Sequence, residues 1–428
     1  MFIHIVKSGE TLSGIAKNFG VPLQMFFADN GLSQSSQAVI GQALIIQEPD
    51  ILHTVRSGET LFSIAQSYDT TVLQLLRNNY YLKGNTSLTA GQLLVIQYKN
   101  QNKAVSFVTN SYAYPFISRD LMREQMPFLT YITPFTYGIR ADGGLVNLEN
   151  DEWIIEMAGE YSSRPLMHLS TLTESGSFSS DRANMIFVNP DLQEKLITET
   201  INNMQAKGYD GLDIDFEFIY PEDRFNYVMF LQNVYSRINP LGYPLFSALA
   251  PKTSDTQPGL LYEGHDYGAI AASVDKVLLM TYEWGYTYSE PMAVAPIKNV
   301  ENVVKYALTR ISSSKILMGI PTYGYDWPLP FEKGITRAQS LSPVECIRLA
   351  ERFGAIIEYD TTAQTPWFRY TDDTGQLHEV WFEDARSITA KLNLAASYNL
   401  SGLGYWNSMR EFPQNWVVLN DGYNIINV

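Results

Sequence analysis

One ten-residue segment, 208–217 (GYDGLDIDFE), restricts the fold of this chain more than any other. Side chains alternate between the two faces of a strand, so Asp213, Asp215 and Glu217 share one face and the apolar residues between them take the other. Each buried carboxylate costs several kcal/mol without a partner, so this face is expected to line a functional site rather than a core. A solvated edge strand is the alternative, and the intervening apolar residues argue against it.

Short apolar segments alternate with helical segments after residue 98, which indicates a parallel α/β sheet. Eight such strands predict a (β/α)₈ barrel with Glu217 at its C-terminal mouth, where active sites of this fold gather. The interval between the seventh and eighth strands is too long for one helix, so we expect a small α+β insertion at about 326–383. The predicted strands are 106–112, 128–135, 166–170, 211–218, 246–250, 276–282, 315–320 and 402–406.

The first hundred residues contain an internal repeat. HIVKSGETL at 4–12 returns as HTVRSGETL at 53–61, and IGQALII at 40–46 returns as AGQLLVI at 90–96. Apolar residues at helical spacing lie between these segments, so each copy is predicted to be strand–helix–helix–strand. The pattern resembles the lysin motif (LysM), a βααβ module that binds N-acetylglucosamine in peptidoglycan and chitin, although the usual Gly-Asp-Thr is Gly-Glu-Thr here.

The carboxylate segment carries a second resemblance. Residues 210–217 match the D-x-x-D-x-D-x-E signature of family-18 glycoside hydrolases, the chitinase-like enzymes. A Met-x-Tyr segment ending at Tyr282 and a Gly-Tyr-Trp segment ending at Trp406 are also similar to that family. We therefore expect LysM domains at 1–48 and 49–98 and a family-18 barrel at 99–428.

The resemblance implies a mechanism without a protein nucleophile. Glu217 would protonate the glycosidic oxygen and later activate water, while the substrate's own 2-acetamido oxygen attacks C1. Asp215 would orient the acetamido N–H with Asp213 behind it, and Tyr282 would donate to the acetamido oxygen. Crowded carboxylates cannot all ionise, so at least one of their pKa values should rise, as a general acid near neutral pH requires. The substrate-binding residues that we expect are Trp406 as the apolar floor, with Glu283, Tyr323 and Trp284.

Two positions depart from the family pattern. The acid after Met-x-Tyr is usually Asp and is Glu283 here, one methylene longer. The Ser-x-Gly-Gly that commonly follows the third strand is replaced by His-Leu-Ser-Thr-Leu at 168–172, which is expected to alter one wall of the site.

Two LysM-like repeats before a chitinase-like barrel resemble the cortex-lytic N-acetylglucosaminidases of bacterial endospores, which degrade spore peptidoglycan fragments during germination. The resemblance implies a peptidoglycan hydrolase that cleaves spore cortex fragments beside N-acetylglucosamine. A chitinase acting on chitin oligomers and a non-catalytic N-acetylglucosamine-binding coat protein are the alternatives. The barrel motif does not separate the two enzymes, whereas lectins of this fold typically lose the terminal Glu that is present here as Glu217.

Charge and composition exclude several other partners. The net charge of −15 argues against nucleic acid, and no apolar run is long enough to cross a bilayer. Cys346 is the single cysteine, and the histidines lack metal-ligand spacing, so we expect no disulfide, metal or cofactor. The N-terminal residues lack the features of a signal peptide. We expect a monomer that binds peptidoglycan or a chitin-like glycan in the spore coat, spore cortex or cell wall.

Overall fold

The structure, a computed structural model, describes residues 1–99, 101 and 103–427. Each N-terminal repeat folds as the predicted strand, two helices and strand, and its two strands pair antiparallel. Repeat 1 comprises β1 (Phe2–Ile5), α1 (Leu12–Phe19), α2 (Leu23–Asp29) and β2 (Ala43–Ile46). Repeat 2 comprises β3 (Pro49–Thr54), α3 (Leu61–Ser67), α4 (Val72–Asn78) and β4 (Leu93–Tyr98).

The Gly-Glu-Thr segment of each repeat starts its first helix. The Thr11 hydroxyl accepts the Gly14 N–H at the beginning of α1, which satisfies a backbone donor that the helix leaves free. Glu10 Oε2 accepts the Lys7 N–H at 2.7 Å and lies 2.9 Å from His4 Nε2. Repeat 2 has the same contacts, at 2.7 and 2.8 Å. The longer Glu side chain therefore reaches two partners at once, which gives the recurring histidine a structural role.

Eight parallel strands close into the predicted barrel. They pair in the order β19-β13-β12-β11-β10-β9-β6-β5, and the pairing of β19 with β5 closes the ring. The strands of this part of the chain are β5 (Ser106–Ala113), β6 (Tyr131–Pro134), β7 (Gly138–Ile139), β8 (Leu145–Val146), β9 (Arg164–Ser170), β10 (Gly211–Asp215), β11 (Leu245–Leu249), β12 (Lys276–Leu279), β13 (Ile316–Pro321), β14 (Gly324–Leu329), β15 (Gln339–Leu341), β16 (Glu358–Asp360), β17 (Thr365–Thr371), β18 (Leu377–Trp381), β19 (Gly402–Trp406) and β20 (Asn424–Ile425).

Helices follow the barrel strands and cover the outside of the ring. Among the described residues, no helix is both long and apolar enough to cross a membrane. The α-helices are α5 (Arg119–Gln125), α6 (Glu152–Glu160), α7 (Ser180–Val188), α8 (Pro190–Lys207), α9 (Arg224–Ile238), α10 (Leu260–Glu263), α11 (Tyr267–Ala272), α12 (Ile297–Leu308), α13 (Pro343–Phe353), α14 (Ala385–Ser397) and α15 (Pro413–Gly422). Single 3₁₀ turns lie at Tyr80–Leu82, Met126–Phe128, Pro221–Asp223, Asn239–Leu241 and Ser313–Lys315.

Two predicted strands end three residues earlier than the sequence pattern indicates. The strand expected at 211–218 ends at Asp215, and the strand expected at 276–282 ends at Leu279. The last ladder pair of β10 joins Asp215 to Ser170 of β9, and beyond it the chain leaves the sheet. Glu217 therefore lies on the loop just after its strand, not as the strand's last residue.

The insertion between the seventh and eighth barrel strands is confirmed. It is a five-stranded antiparallel sheet in the order β15-β14-β18-β17-β16, with α13 against it. The sheet begins at Gly324, slightly before the predicted start at about 326, because Gly324 already pairs with Leu341 of β15. Buried apolar side chains from the sheet and from α13 give it a core separate from that of the barrel.

Both repeats pack directly on the barrel. Apolar side chains of repeat 2 belong to the same hydrophobic cluster as the barrel side chains Phe128 and Trp416. Arg77 of α4 donates from Nε to the Pro127 carbonyl oxygen at 2.5 Å. In repeat 1, Asn30 accepts the Gln414 side-chain amide at 3.0 Å. The repeats are thus fixed to the barrel by a shared core and hydrogen bonds.

Candidate active site

A cleft of about 240 Å³ opens at the C-terminal ends of the barrel strands. Seven of the eight barrel strands contribute to its wall, through their C-terminal ends or through the loops that follow them. Five residues predicted from the sequence, Asp215, Glu217, Tyr282, Glu283 and Trp406, meet in this cleft. The other lining residues are Tyr112, Tyr114, Phe135, Phe178, Ala248, Leu278 and Met280.

Asp213 lies beneath the cleft and is 1% exposed. Its Oδ2 accepts the Tyr112 hydroxyl of the first barrel strand at 2.6 Å. Burial raises the pKa of Asp213 to about 6, against the lowering effects of His168 and Tyr112, and the nearby Asp215 adds to the rise. The carboxyl group therefore changes its protonation state between mildly acidic and neutral pH.

Glu217 projects from the loop after β10 into the same cleft. Burial, together with the charges of Asp215 and Glu283, raises its pKa to about 8. The group is thus protonated at neutral pH. A protonated carboxyl in a cleft can act as a general acid, and as a base once the proton has been given up.

Glu283 stands on the opposite wall, at a residue with φ of +66°. A left-handed backbone at a residue other than glycine is uncommon and is found often at functional sites. The hydroxyls of Tyr323 and Tyr325 donate to its carboxylate, the latter at 3.1 Å from Oε1. Removal of water by the cleft wall raises the pKa of Glu283, although the two tyrosines lower it.

The position of Tyr323 corrects one expectation. Tyr323 was expected to contact substrate, but its side chain is 5% exposed and is not part of the cleft lining. It lies behind Glu283 and donates a hydrogen bond to it. Its role in the structure is to hold the Glu283 carboxylate in place.

Trp406 ends the eighth strand and forms an apolar floor with the aromatic rings around it. Its ring centroid lies 5.1 Å from that of Phe135 and 5.6 Å from that of Tyr112. Tyr282, on the loop after β12, faces the cleft from the side. Burial and the surrounding carboxylates raise the pKa of Tyr282 well above its usual value, which keeps its hydroxyl available as a hydrogen-bond donor.

A second chamber of about 140 Å³ adjoins the cleft. Trp284 lies here, together with Leu261 and Tyr262 of α10, the short helix after the fifth strand. Four residues line both chambers and so mark their boundary: Glu217, Met280, Tyr282 and Glu283. An acid in this position can reach a bond that joins a group in one chamber to a group in the other.

Sequence reasoning missed several residues of the site, chiefly Tyr112, His168 and Tyr262. His168 was considered only as part of an altered wall, yet it is fully buried and its Nε2 lies 3.6 Å from Asp215 Oδ2. The sequence offers one signal for Tyr112 and His168, which is their position near the C-terminal end of a predicted strand. No such signal marks Tyr262. In the part of the chain that the structure describes, no group of three or more His, Cys, Asp or Glu side chains is arranged to hold a metal ion.

Comparison with known proteins finds two families in this chain. Residues 169–411 match the family described as "Glycosyl hydrolases family 18", and residues 4–47 and 53–97 each match the LysM domain. The chain is 37% identical over 426 residues to the cortical fragment-lytic enzyme of Bacillus anthracis, with 98% of each chain covered. It is 42% identical over 306 residues to the enzyme of the same name from Bacillus subtilis (strain 168), covering 71% of this chain and 70% of the relative. The crystal structure of the Bacillus cereus spore cortex-lytic enzyme SleL superposes with a TM-score of 0.83 at 35% identity, covering 100% of this chain and 99% of that one.

Proposed function

Since this chain belongs to family 18 of the glycosyl hydrolases, we propose that it hydrolyses glycosidic bonds beside N-acetylglucosamine in fragments of spore cortex peptidoglycan. Two relatives, each aligned over 98% of its own length and 98% of this chain, are cortical fragment-lytic enzymes. Their names support this substrate. The two LysM domains support a glycan partner. Action at the spore cortex or cell wall follows from the same substrate, and we propose that the enzyme works there as a monomer with domains at 1–48, 49–98 and 99–428.

The position of Glu217 at the boundary between the two chambers is the observation that carries the proposal. We assign the larger chamber to the N-acetylglucosamine unit whose C1 is attacked, lying on Trp406 as its floor. The smaller chamber, with Trp284 on its wall, takes the leaving sugar. The oxygen that joins the two sugars then lies beside Glu217, which protonates it and afterwards removes a proton from the incoming water.

The remaining residues act on the acetamido group of the sugar in the larger chamber. Asp215 accepts the acetamido N–H, and the Tyr282 hydroxyl donates to the acetamido oxygen, so that this oxygen points at C1. Asp213 lies behind Asp215 and shares its charge. Glu283, fixed by two tyrosine hydroxyls, accepts sugar hydroxyls from the opposite wall.

The pH dependence of the reaction should report Glu217. Its pKa of about 8 means that the required proton is present at neutral pH and is lost as the pH rises through that value. Glu283→Gln removes one of the charges that raise this pKa, so the alkaline limb of the kcat/KM profile is expected to move to lower pH, by up to about one unit. Glu290→Gln, an exposed glutamate on the same loop, is the matched control and should leave the limb in place. An alkaline limb that stays in place or moves to higher pH in Glu283→Gln would contradict the role of Glu217 as the general acid.

The substrate itself is tested by product analysis. We expect muropeptide fragments of purified cortex to be cleaved with a higher kcat/KM than chitin oligomers of equal length, with N-acetylglucosamine at each new reducing end. Mass spectrometry and reducing-end reduction identify the bond that is cut. Faster cleavage of chitin oligomers would make the protein a chitinase. No hydrolysis of either glycan, with binding retained, would make it a coat protein that only binds N-acetylglucosamine.

A further inference from the structure

The floor of the cleft holds three buried polar atoms that lack a hydrogen-bond partner within the described part of the chain. They are His168 Nε2, Asp213 Oδ1 and Asp215 Oδ1. Buried polar atoms in proteins are almost always hydrogen-bonded, because an unpaired one costs about 1–3 kcal/mol. Two of these atoms belong to the proposed catalytic carboxylates and the third to the histidine beside them, so the role of His168 needs an explanation.

The imidazole of His168 has a single well-defined orientation. Its Nδ1 lies 2.6 Å from the Thr136 hydroxyl oxygen, and its ring is packed between Phe135, with centroids 4.6 Å apart, and the edge-on Tyr112, at 5.5 Å. In the sheet, His168 is the register partner of Asp213. These contacts direct Nε2 towards Asp215, at 3.6 Å from its Oδ2.

The groups that face His168 Nε2 decide whether this nitrogen carries a proton. An unprotonated Nε2 and an ionised Oδ2 are both acceptors and would repel each other, whereas an Nε2–H group attracts the carboxylate. The Thr136 hydroxyl can donate to Nδ1 or accept from it, so the neutral Nε2–H tautomer and the imidazolium both fit. The titratable groups that face this ring are Tyr112 from the first strand and Asp213 and Asp215 from the fourth.

We propose that His168 is a positioning residue for the reaction, whose Nε2–H faces Asp215 and keeps one carboxylate of the Asp213–Asp215 pair ionised. The proposal rests on the function proposed above for these two carboxylates. An ionised Asp215 can accept the acetamido N–H of the substrate, whereas a pair that holds two protons cannot. His168 also adds to the forces that lower the pKa of Asp213. Losing the histidine therefore lets the pair keep its second proton to a higher pH.

Two substitutions of similar size separate this role from packing. His168→Met fills the same space without a donor, and His168→Gln keeps an N–H near the position of Nε2. For His168→Met we expect kcat to fall by about 10²-fold, with KM within about threefold of wild type. We also expect the acid limb of the kcat profile to move to higher pH by about one unit. His168→Gln should recover most of kcat and return the limb towards its wild-type position.

The assay uses the full-length enzyme and a fluorogenic chitin oligosaccharide, with thermal unfolding measured for every variant. The proposed catalytic function is tested first: wild type should turn over this substrate and Glu217→Gln should not. A failure of that test is thereby distinguished from a failure of the role proposed for His168. In an Asp215→Asn background, His168→Met should have little further effect, because both act through the same carboxylate. Three results would overturn the proposal. The first is an acid limb in His168→Met that coincides with that of wild type. The second is an equal loss of kcat in both His168 variants with the limb unmoved, and the third is full additivity of His168→Met with Asp215→Asn. Should His168→Met not fold, Thr136→Val leaves the imidazole in place and removes its Nδ1 contact, together with the hydrogen bonds of the Thr136 hydroxyl to Ser170 Oγ and the Tyr137 carbonyl oxygen. It should move the same limb in the same direction, and an unmoved limb there would equally overturn the proposal.

Discussion

Replacing Glu217 by Gln should lower kcat by about 10²–10⁴-fold, the usual contribution of a general acid or base. The amide is nearly the same size as the carboxyl, but it has no proton to give to the glycosidic oxygen at the working pH and cannot activate water afterwards. Glu217 is only partly buried and lies on a loop after its strand, so the substitution should leave the barrel folded. Glycan binding should remain within a fewfold of wild type, because the aromatic floor and the acetamido-binding residues are unchanged.

Kinetics on cortex fragments measure kcat, and calorimetric titration with an N-acetylglucosamine oligomer measures binding. The matched control is Glu222→Gln, an exposed glutamate five residues further along the chain, which should keep wild-type kcat. A Glu217→Gln enzyme with near-wild-type kcat would remove Glu217 from the mechanism.

Substrates without a 2-acetamido group should be inert. An ordinary retaining glycosidase places a nucleophilic carboxylate about 5–5.5 Å from its acid, on the opposite side of the sugar. Asp215 ends β10 and Glu217 follows on the adjoining loop, so both carboxylates enter the cleft from one short segment on the same side. Glu283 lies on another wall, where its carboxylate is held by two tyrosine hydroxyls. The attacking group must then be the acetamido oxygen of the substrate itself.

The expected loss is large, because a well-placed intramolecular nucleophile has an effective molarity of about 10⁵–10⁸ M. A glucoside matched to the N-acetylglucosaminide in linkage and leaving group should therefore give no measurable turnover, while a thiazoline mimic of the oxazolinium ion should inhibit competitively. Mass spectrometry of the enzyme after rapid quenching should find no sugar ester. Efficient cleavage of the glucoside, or an ester on any carboxylate, would show that the protein supplies the nucleophile.

Much of this protein is encoded in patterns that are local in the sequence. The alternation of acidic and apolar residues predicts a strand with one polar and one apolar face, and the structure contains that strand as far as Asp215. Eight apolar segments separated by helical spacing leave a closed parallel barrel as the simplest arrangement, and the two repeats, which agree at both ends, define two similar modules. These features could be predicted because side-chain periodicity depends only on the backbone geometry of each segment.

The tertiary structure decided which side chains meet. Tyr112 reaches Asp213 across 101 residues of sequence, and the repeats share a core with the barrel through contacts such as Gln414 to Asn30, 384 residues apart. No local pattern marks such pairs, since their energy comes from burial and hydrogen bonding that exist only once the chain is closed. The same holds for His168, whose strand pattern is that of an ordinary buried residue. Only the closed barrel brings its Nε2 to 3.6 Å from Asp215 and makes it part of the site.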